Sequence, residues 1–280
     1  MLMELTSVSN IKSLLKKHNA ILSKRFGQNF LIDKNVIKKI LNQAKIGPKD
    51  IVLEIGPGIG TMTIELAKKA KKIIAVEKDF KMVEILKDTL SDFQNIEIIQ
   101  DDILKFVDSK FVINDSYKVV ANLPYYITSP VIRKLLEINN KPKEIILMVQ
   151  KEVAQRICAC APKTNLLAIS VQFYAMPKII SYVSKKSFYP KPKVDSAIIQ
   201  LKTVKQNSKI DKDKFFKIVK AGFSHPRKQL ANNLLKELDF SDKKINKEEI
   251  ISLLDRKGIF ATQRPETLTL KNWIELTKVL

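Results

Sequence analysis

Histidine and cysteine are nearly missing from this chain, with two of each in 280 residues. His18 and His225 stand far apart, so neither a histidine-rich metal centre nor a histidine-based nucleophile relay is expected. Cys158 and Cys160 fall in an expected helix, where residues two apart face different ways. A disulfide is therefore not expected, and reduced thiols in the cytoplasm are the default. No apolar run is long enough to span a bilayer. The N-terminus shows no apolar core of a secretion signal, and its lysines with almost no arginine fit a transit peptide poorly. Acidic residues are scarce as well: 29 against 50 basic ones, a formal charge of +21. Only six of those 50 are arginine, so compositional drift towards lysine explains part of the excess. The field remains, and it attracts phosphate. Nucleic acid is favoured over membrane, because no strongly amphipathic basic helix stands out.

The length suits one large α/β domain with a smaller second one. Ile51-Val52-Leu53-Glu54-Ile55 reads as a buried strand. It runs into Gly56-Pro57-Gly58-Ile59-Gly60 and then a helix, which is the opening of a nucleotide-binding βαβ unit. The next strand, Lys72 to Val76, delivers Glu77, 77 − 56 = 21 residues after the first glycine. A ribose-binding acid stands about 20 residues on in such units. No GxxxxGK[ST] phosphate loop is present, and the dinucleotide spacing GxGxxG is missed because the glycines here run GxGxG. The pattern suits S-adenosylmethionine. Its carboxylate can take the helix N-terminus, and its ammonium is attracted by acids such as Glu54. Beyond a third strand, Ile96 to Ile99, Asp102 with Ile103 beside it is the candidate for the adenine amino group. Asp101 competes for that role or caps the following turn.

The fourth strand, Tyr117 to Ala121, leads into Asn122-Leu123-Pro124-Tyr125. The Asn122 side-chain carbonyl and the Leu123 backbone carbonyl can accept from an amino group, and the residue before a proline is held extended. Tyr125 can stack on a planar base. On those four residues alone this reading equals the bland one, a strand-to-loop turn with Tyr125 packed inward. The glycine loop and the two acids at neighbouring strand ends tip the balance.

Residues 1–23 are expected to form an arm, either a loose amphipathic helix or a partly disordered tail. Lys24 to Leu31 reads as a functional loop or a pinned connector. Asp33 is expected to cap a helix bearing Val36, Ile37, Ile40 and Leu41. Ser187 to Lys193 is a stiff basic loop. Phe188 is favoured as a second wall for a flipped base, and Tyr189 is evenly placed between that and packing. After a charged linker at 202–214 the pattern turns wholly helical. Domains are expected at 24–204 and 205–280.

Six ordered motifs resemble one family, the small-subunit ribosomal RNA adenine dimethyltransferases. They are K-R-F-G-Q-N-F-L at 24–31, E-I-G-P-G-I-G at 54–60, V-E-K-D at 76–79, N-L-P-Y-Y-I at 122–127, P-K-P-K-V-D-S-A at 190–197, and the stretch 223–234. The likeness covers nearly the whole chain from Lys24 on. It implies a Rossmann-like methyltransferase sheet with a small C-terminal all-helical domain. It also implies dimethylation of two adjacent adenines in the 3′-terminal hairpin of small-subunit (16S) rRNA, within the immature small ribosomal subunit. Asn29, Leu31, Gly56, Glu77, Asp102 and Asn122 would then line the cofactor site, with Gly58 and Ile103 beside them, and Tyr125 and Phe188 would sandwich the adenine. Lys24, Arg25, Lys191, Lys193, Arg227 and Lys228 are the candidate RNA contacts. Pro226 stands where the family more often has a basic residue. A monomer without metal is expected. The rivals are a large-subunit (23S) rRNA adenine methyltransferase of the macrolide-resistance type and a non-catalytic RNA-binding assembly or transcription factor. An NAD-dependent dehydrogenase is disfavoured by the glycine spacing.

Overall fold

Each of the buried runs read above as strands forms one, and their order decides where a cleft can open. The computed structural model describes residues 3–23, 27–109, 116–204, 210–238 and 246–280. The chain begins with helix α1 (Val8–Lys17), the short strand β1 (Phe30–Leu31) and helix α2 (Lys34–Ala44). Strands and helices then alternate: β2 (Ile51–Ile55), α3 (Thr61–Ala67), β3 (Lys72–Glu77), α4 (Phe80–Thr89), β4 (Ile96–Gln100), α5 (Ile103–Ser109), β5 (Tyr117–Asn122), α6 (Thr128–Glu137) and β6 (Glu144–Gln150). After α7 (Lys151–Ile157) and α8 (Leu166–Gln172) come β7 (Ala175–Val183), β8 (Phe188–Tyr189) and β9 (Ser196–Thr203). Helices α9 (Lys212–Gly222), α10 (Leu230–Glu237), α11 (Lys247–Asp255) and α12 (Leu270–Val279) follow.

Contacts divide the chain into two units, Met1–Ala154 with Met176–Thr203, and Gln155–Ala175 with Val204–Leu280. Besides the expected change near residue 204, the segment Gln155–Ala175 therefore clusters with the C-terminal helices. Helix α8 stops at Gln172, and Ala175 already begins a strand.

In the first unit the main sheet runs β4-β3-β2-β5-β6-β9-β7. Strands β2 to β6 are parallel to their neighbours, and β9 joins β6 antiparallel. Strand order reverses between β2 and β5, which is where an α/β sheet leaves a crevice beyond its strand ends. Both faces of β2 and β5 are covered, so both read as mostly apolar runs, interrupted by Glu54 in β2 and by Lys118 in β5. Asp33 caps α2 as expected, accepting from the N–H groups of Asn35 (2.9 Å) and Val36 (3.3 Å).

Of the two readings of the N-terminal arm the amphipathic helix is the one that forms, and it is packed, not loose. Ile11, Leu14 and Leu15 of α1 are buried in one cluster with Ile59, Ile64, Met82, Ile85 and Leu86. Their i, i+3, i+4 spacing makes one apolar stripe, and the stripe has found a partner.

The second unit is helical. Phe173 stacks on Phe215 at 4.3 Å between ring centroids, and Trp273 is fully buried. Gly222 lets that indole approach: a Cβ there would lie 2.3 Å from Trp273 Cη2. The Asn233 amide donates to the carbonyls of Gly222 (2.7 Å) and His225 (3.0 Å). These bonds hold the turn that carries Arg227 and Lys228, both exposed.

Candidate active site

Strand register brings the site together. Ile55 lies opposite Val76 on one side and Ala121 on the other. The next residues, Gly56, Glu77 and Asn122, therefore reach the edge of the sheet at one level. Glu77 lies opposite Gln100, so Asp101 and Asp102 follow at the same edge. Gly56, Glu77, Asp101, Asp102 and Asn122 line one open cleft, together with Asn29, Leu31, Glu54, Gly58, Ile103, Leu123 and Tyr125.

On the β2–β3 side the carboxylates dominate. Glu77 is buried, and its two oxygens accept from the N–H groups of Gly58 (3.2 Å) and Asp79 (2.9 Å). Burial raises its pKa, while those N–H groups favour the charged form. Gly58 has φ +61°, and a Cβ there would lie 3.1 Å from the Phe30 ring, so both backbone and space require glycine. Glu54 is 0% exposed, and neither of its carboxylate oxygens has a hydrogen-bond partner. The Thr63 hydroxyl favours its charged form but makes no hydrogen bond of normal geometry. Burial, helped by the Glu77 charge, pushes Glu54 up to about 8. A buried acid left this way calls for a cation.

Asp102, not Asp101, caps the following helix: its Oδ1 accepts from the Leu104 N–H at 3.0 Å. Its Oδ2 pairs with Lys78 at 2.7 Å. Burial alone would raise its pKa, but Lys78 and the Leu104 N–H together hold it below the usual carboxylate range.

On the β5 side the groups are neutral. Asn122 Nδ2 donates to the Asn29 carbonyl at 3.0 Å, which orients the amide and leaves Oδ1 outside that bond. Asn29 belongs to a loop held in turn by Gln28, whose Nε2 donates to Asp79 Oδ2 at 2.7 Å. Pro124, at φ −54° and ψ 131°, leads into a 3-10 turn over Tyr125–Ile127. The Tyr125 hydroxyl shares a 2.8 Å hydrogen bond with Ser196 Oγ, a partner 71 residues away that the sequence did not single out. Burial holds the phenol above its ordinary pKa.

Phe188 requires a correction. Its ring is 3% exposed and packs in a core cluster with Leu31, Ile37 and Ile40, and it does not line the cleft. Antiparallel pairing of β8 with β1 sets Phe188 opposite Leu31 and turns it into that core. Lys191 and Lys193 are exposed. Lys24 and Arg25 lie outside the described residues.

The donor set fits S-adenosylmethionine. Glu54 is an unpartnered acid for an ammonium, Glu77 is an acceptor for hydroxyls, and Gly58 permits close approach of the backbone.

Comparison with known proteins agrees with this geometry. A family model described as ribosomal RNA adenine dimethylase matches residues 19–275. The ribosomal RNA small subunit methyltransferase A of Clostridioides difficile is 43% identical, covering 99% of this chain and 96% of that protein. A solved dimethyladenosine transferase from Plasmodium falciparum is similar at TM-score 0.75 and 27% identity, over 87% of this chain and 94% of that one. The 23S rRNA methyltransferase ErmE is similar at TM-score 0.73 and 25% identity, over 89% and 98% of the two chains.

Proposed function

Because the chain belongs to the ribosomal RNA adenine dimethylase family, we propose that it dimethylates the exocyclic N6 of two adjacent adenines in the 3′-terminal hairpin of small-subunit rRNA. It is an S-adenosylmethionine-dependent methyltransferase. The small-subunit name of the 43% identical relative supports this substrate over a large-subunit one. The proposed setting is the immature small subunit in the cytoplasm, with the protein acting as a monomer. Among the described residues no helix is long and apolar enough to cross a membrane.

The single observation that carries the mechanism is the Asn122 amide, which lines the cleft and is oriented by donating from Nδ2 to the Asn29 carbonyl. An adenine amino nitrogen is a poor nucleophile because its lone pair is delocalised into the ring. Asn122 Oδ1 and the Leu123 carbonyl accept hydrogen bonds from its N–H groups and favour a pyramidal nitrogen with an available lone pair. Tyr125 stacks on the purine and holds it in line. Bound S-adenosylmethionine would supply an electrophilic methyl with a neutral thioether as its leaving group. The methylated nitrogen then releases its proton to water. Glu54, Gly56, Gly58, Glu77 and Asp102, with Asn29, Leu31 and Ile103, would hold the cofactor. Such positioning can lower the barrier by several kcal/mol. The exposed Lys191, Lys193, Arg227 and Lys228 are proposed to contact phosphate.

The test is transfer of labelled methyl to purified immature small and large subunits. Dimethyladenine confined to the small-subunit hairpin is expected, and label on large-subunit RNA would overturn the substrate assignment.

A further inference from the structure

The side chain that pins the stacking ring comes from the far side of the sheet. Ser196 is 0% exposed, and a buried hydroxyl needs a partner. The Tyr125 phenol, 2.8 Å away, is the partner. Ser196 opens β9 and lies opposite Gln150 of β6, while Met148 of β6 lies opposite Asn122 of β5. One ladder therefore sets the level of Asn122 and the level of Ser196, two residues further along β6. The Tyr125 ring is held at both ends, at its Cα by the 3-10 turn after Pro124 and at its oxygen by β9. A ring fixed only at Cα could swing about two side-chain torsions and carry a stacked base away from Asn122.

We infer that Ser196 is a positioning residue that acts through the Tyr125 hydroxyl to keep the stacking ring in register with the Asn122 amide. This rests on the base-binding reading of the cleft. The phenol serves as an anchor in this arrangement and takes no part in proton transfer.

The test is a double-mutant cycle on the full chain with the small-subunit substrate. Ser196→Ala and Tyr125→Phe should each lower kcat about tenfold, the worth of one buried hydrogen bond. The double variant should match either single one, because both remove the same bond. Cofactor affinity should stay near wild type and the unfolding midpoint should fall only by the few degrees that one buried hydrogen bond is worth, whereas a serine that held the fold as a whole would lose cofactor affinity with it. Additive losses, a wild-type kcat in either single variant, or an equal loss of cofactor affinity would each overturn the inference. If Ser196→Ala does not fold, Tyr125→Phe decides alone: unchanged kcat refutes the anchor, and a tenfold loss with intact cofactor affinity supports it. Failure of the wild-type chain to methylate the RNA would instead refute the functional reading itself.

Discussion

On the β2–β3 side of the cleft, Glu54 is buried with both carboxylate oxygens unpartnered. On the β5–β9 side, Asn122 and Tyr125 have each committed a polar group to a neighbour, Asn29 and Ser196. The first side is electrostatically incomplete and the second is pre-assembled. A cation can be held by a buried acid that gives up its proton as the cation binds, without strict geometry. Activating an amino group depends on angles and distances, and only fixed hydrogen bonds can supply those. Under the proposed function, the incomplete side would serve binding and the bonded side would serve rate.

Substitutions can break this contrast. Asn122→Ala should have the largest effect, a fall in kcat of about 10³-fold, comparable to loss of one preorganised group at a reacting centre. Its RNA affinity, measured by filter binding, should hardly move, and a near-normal rate would remove Asn122 from the mechanism. Tyr125→Ala removes both the stacking, about 1–3 kcal/mol, and the anchored hydroxyl, and should cost more than about tenfold in kcat, up to about 150-fold or beyond. That loss should exceed the loss from Tyr125→Phe in the same assay.

Glu54→Gln should act on the other side, weakening cofactor binding about tenfold in calorimetry while kcat at saturation changes little. The same variant sharpens the contrast through pH. Glu54 has a folded pKa raised from 4.5 to about 8. The unfolded chain then loses this proton first, so the cofactor-free protein loses stability as pH rises from about 4.5 towards 8. Thermal unfolding of Glu54→Gln between pH 5 and 8 should show a flatter decline, and an identical decline would place the charge elsewhere. The smallest effect on turnover belongs to joint charge reversal at Arg227 and Lys228, outside both sides. At saturating RNA kcat should hold, while the salt dependence of binding should flatten by about two units of slope. An unchanged slope would exclude that turn as a phosphate contact.

Much of the β2–β3 side was legible in the chain itself. The apolar run 51–55, the glycine turn and the spacing to Glu77 are local signals, and each lies where read. Asp102 was legible as a cleft residue, but its capping of α5 was not, because two adjacent aspartates offer the same chemistry. The β5–β9 side was legible only in part. Asn122 and Tyr125 stood out only beside the glycine loop and the two acids, and their partners Asn29 and Ser196 lie 93 and 71 residues away. Phe188 failed as a wall for the same reason: which way its ring turns is set by pairing with β1.

The amino-acid order alone determined the strand-turn-helix opening, the acids that follow it and the Asn-Leu-Pro-Tyr turn, because backbone preference and apolar periodicity act over a few residues. Only the tertiary structure decided that Ser196 holds Tyr125, that Asn29 orients Asn122, that Phe188 is buried and that α1 is packed. Those outcomes depend on sheet register and on contacts between distant segments, whose free energy exists only once the core has closed.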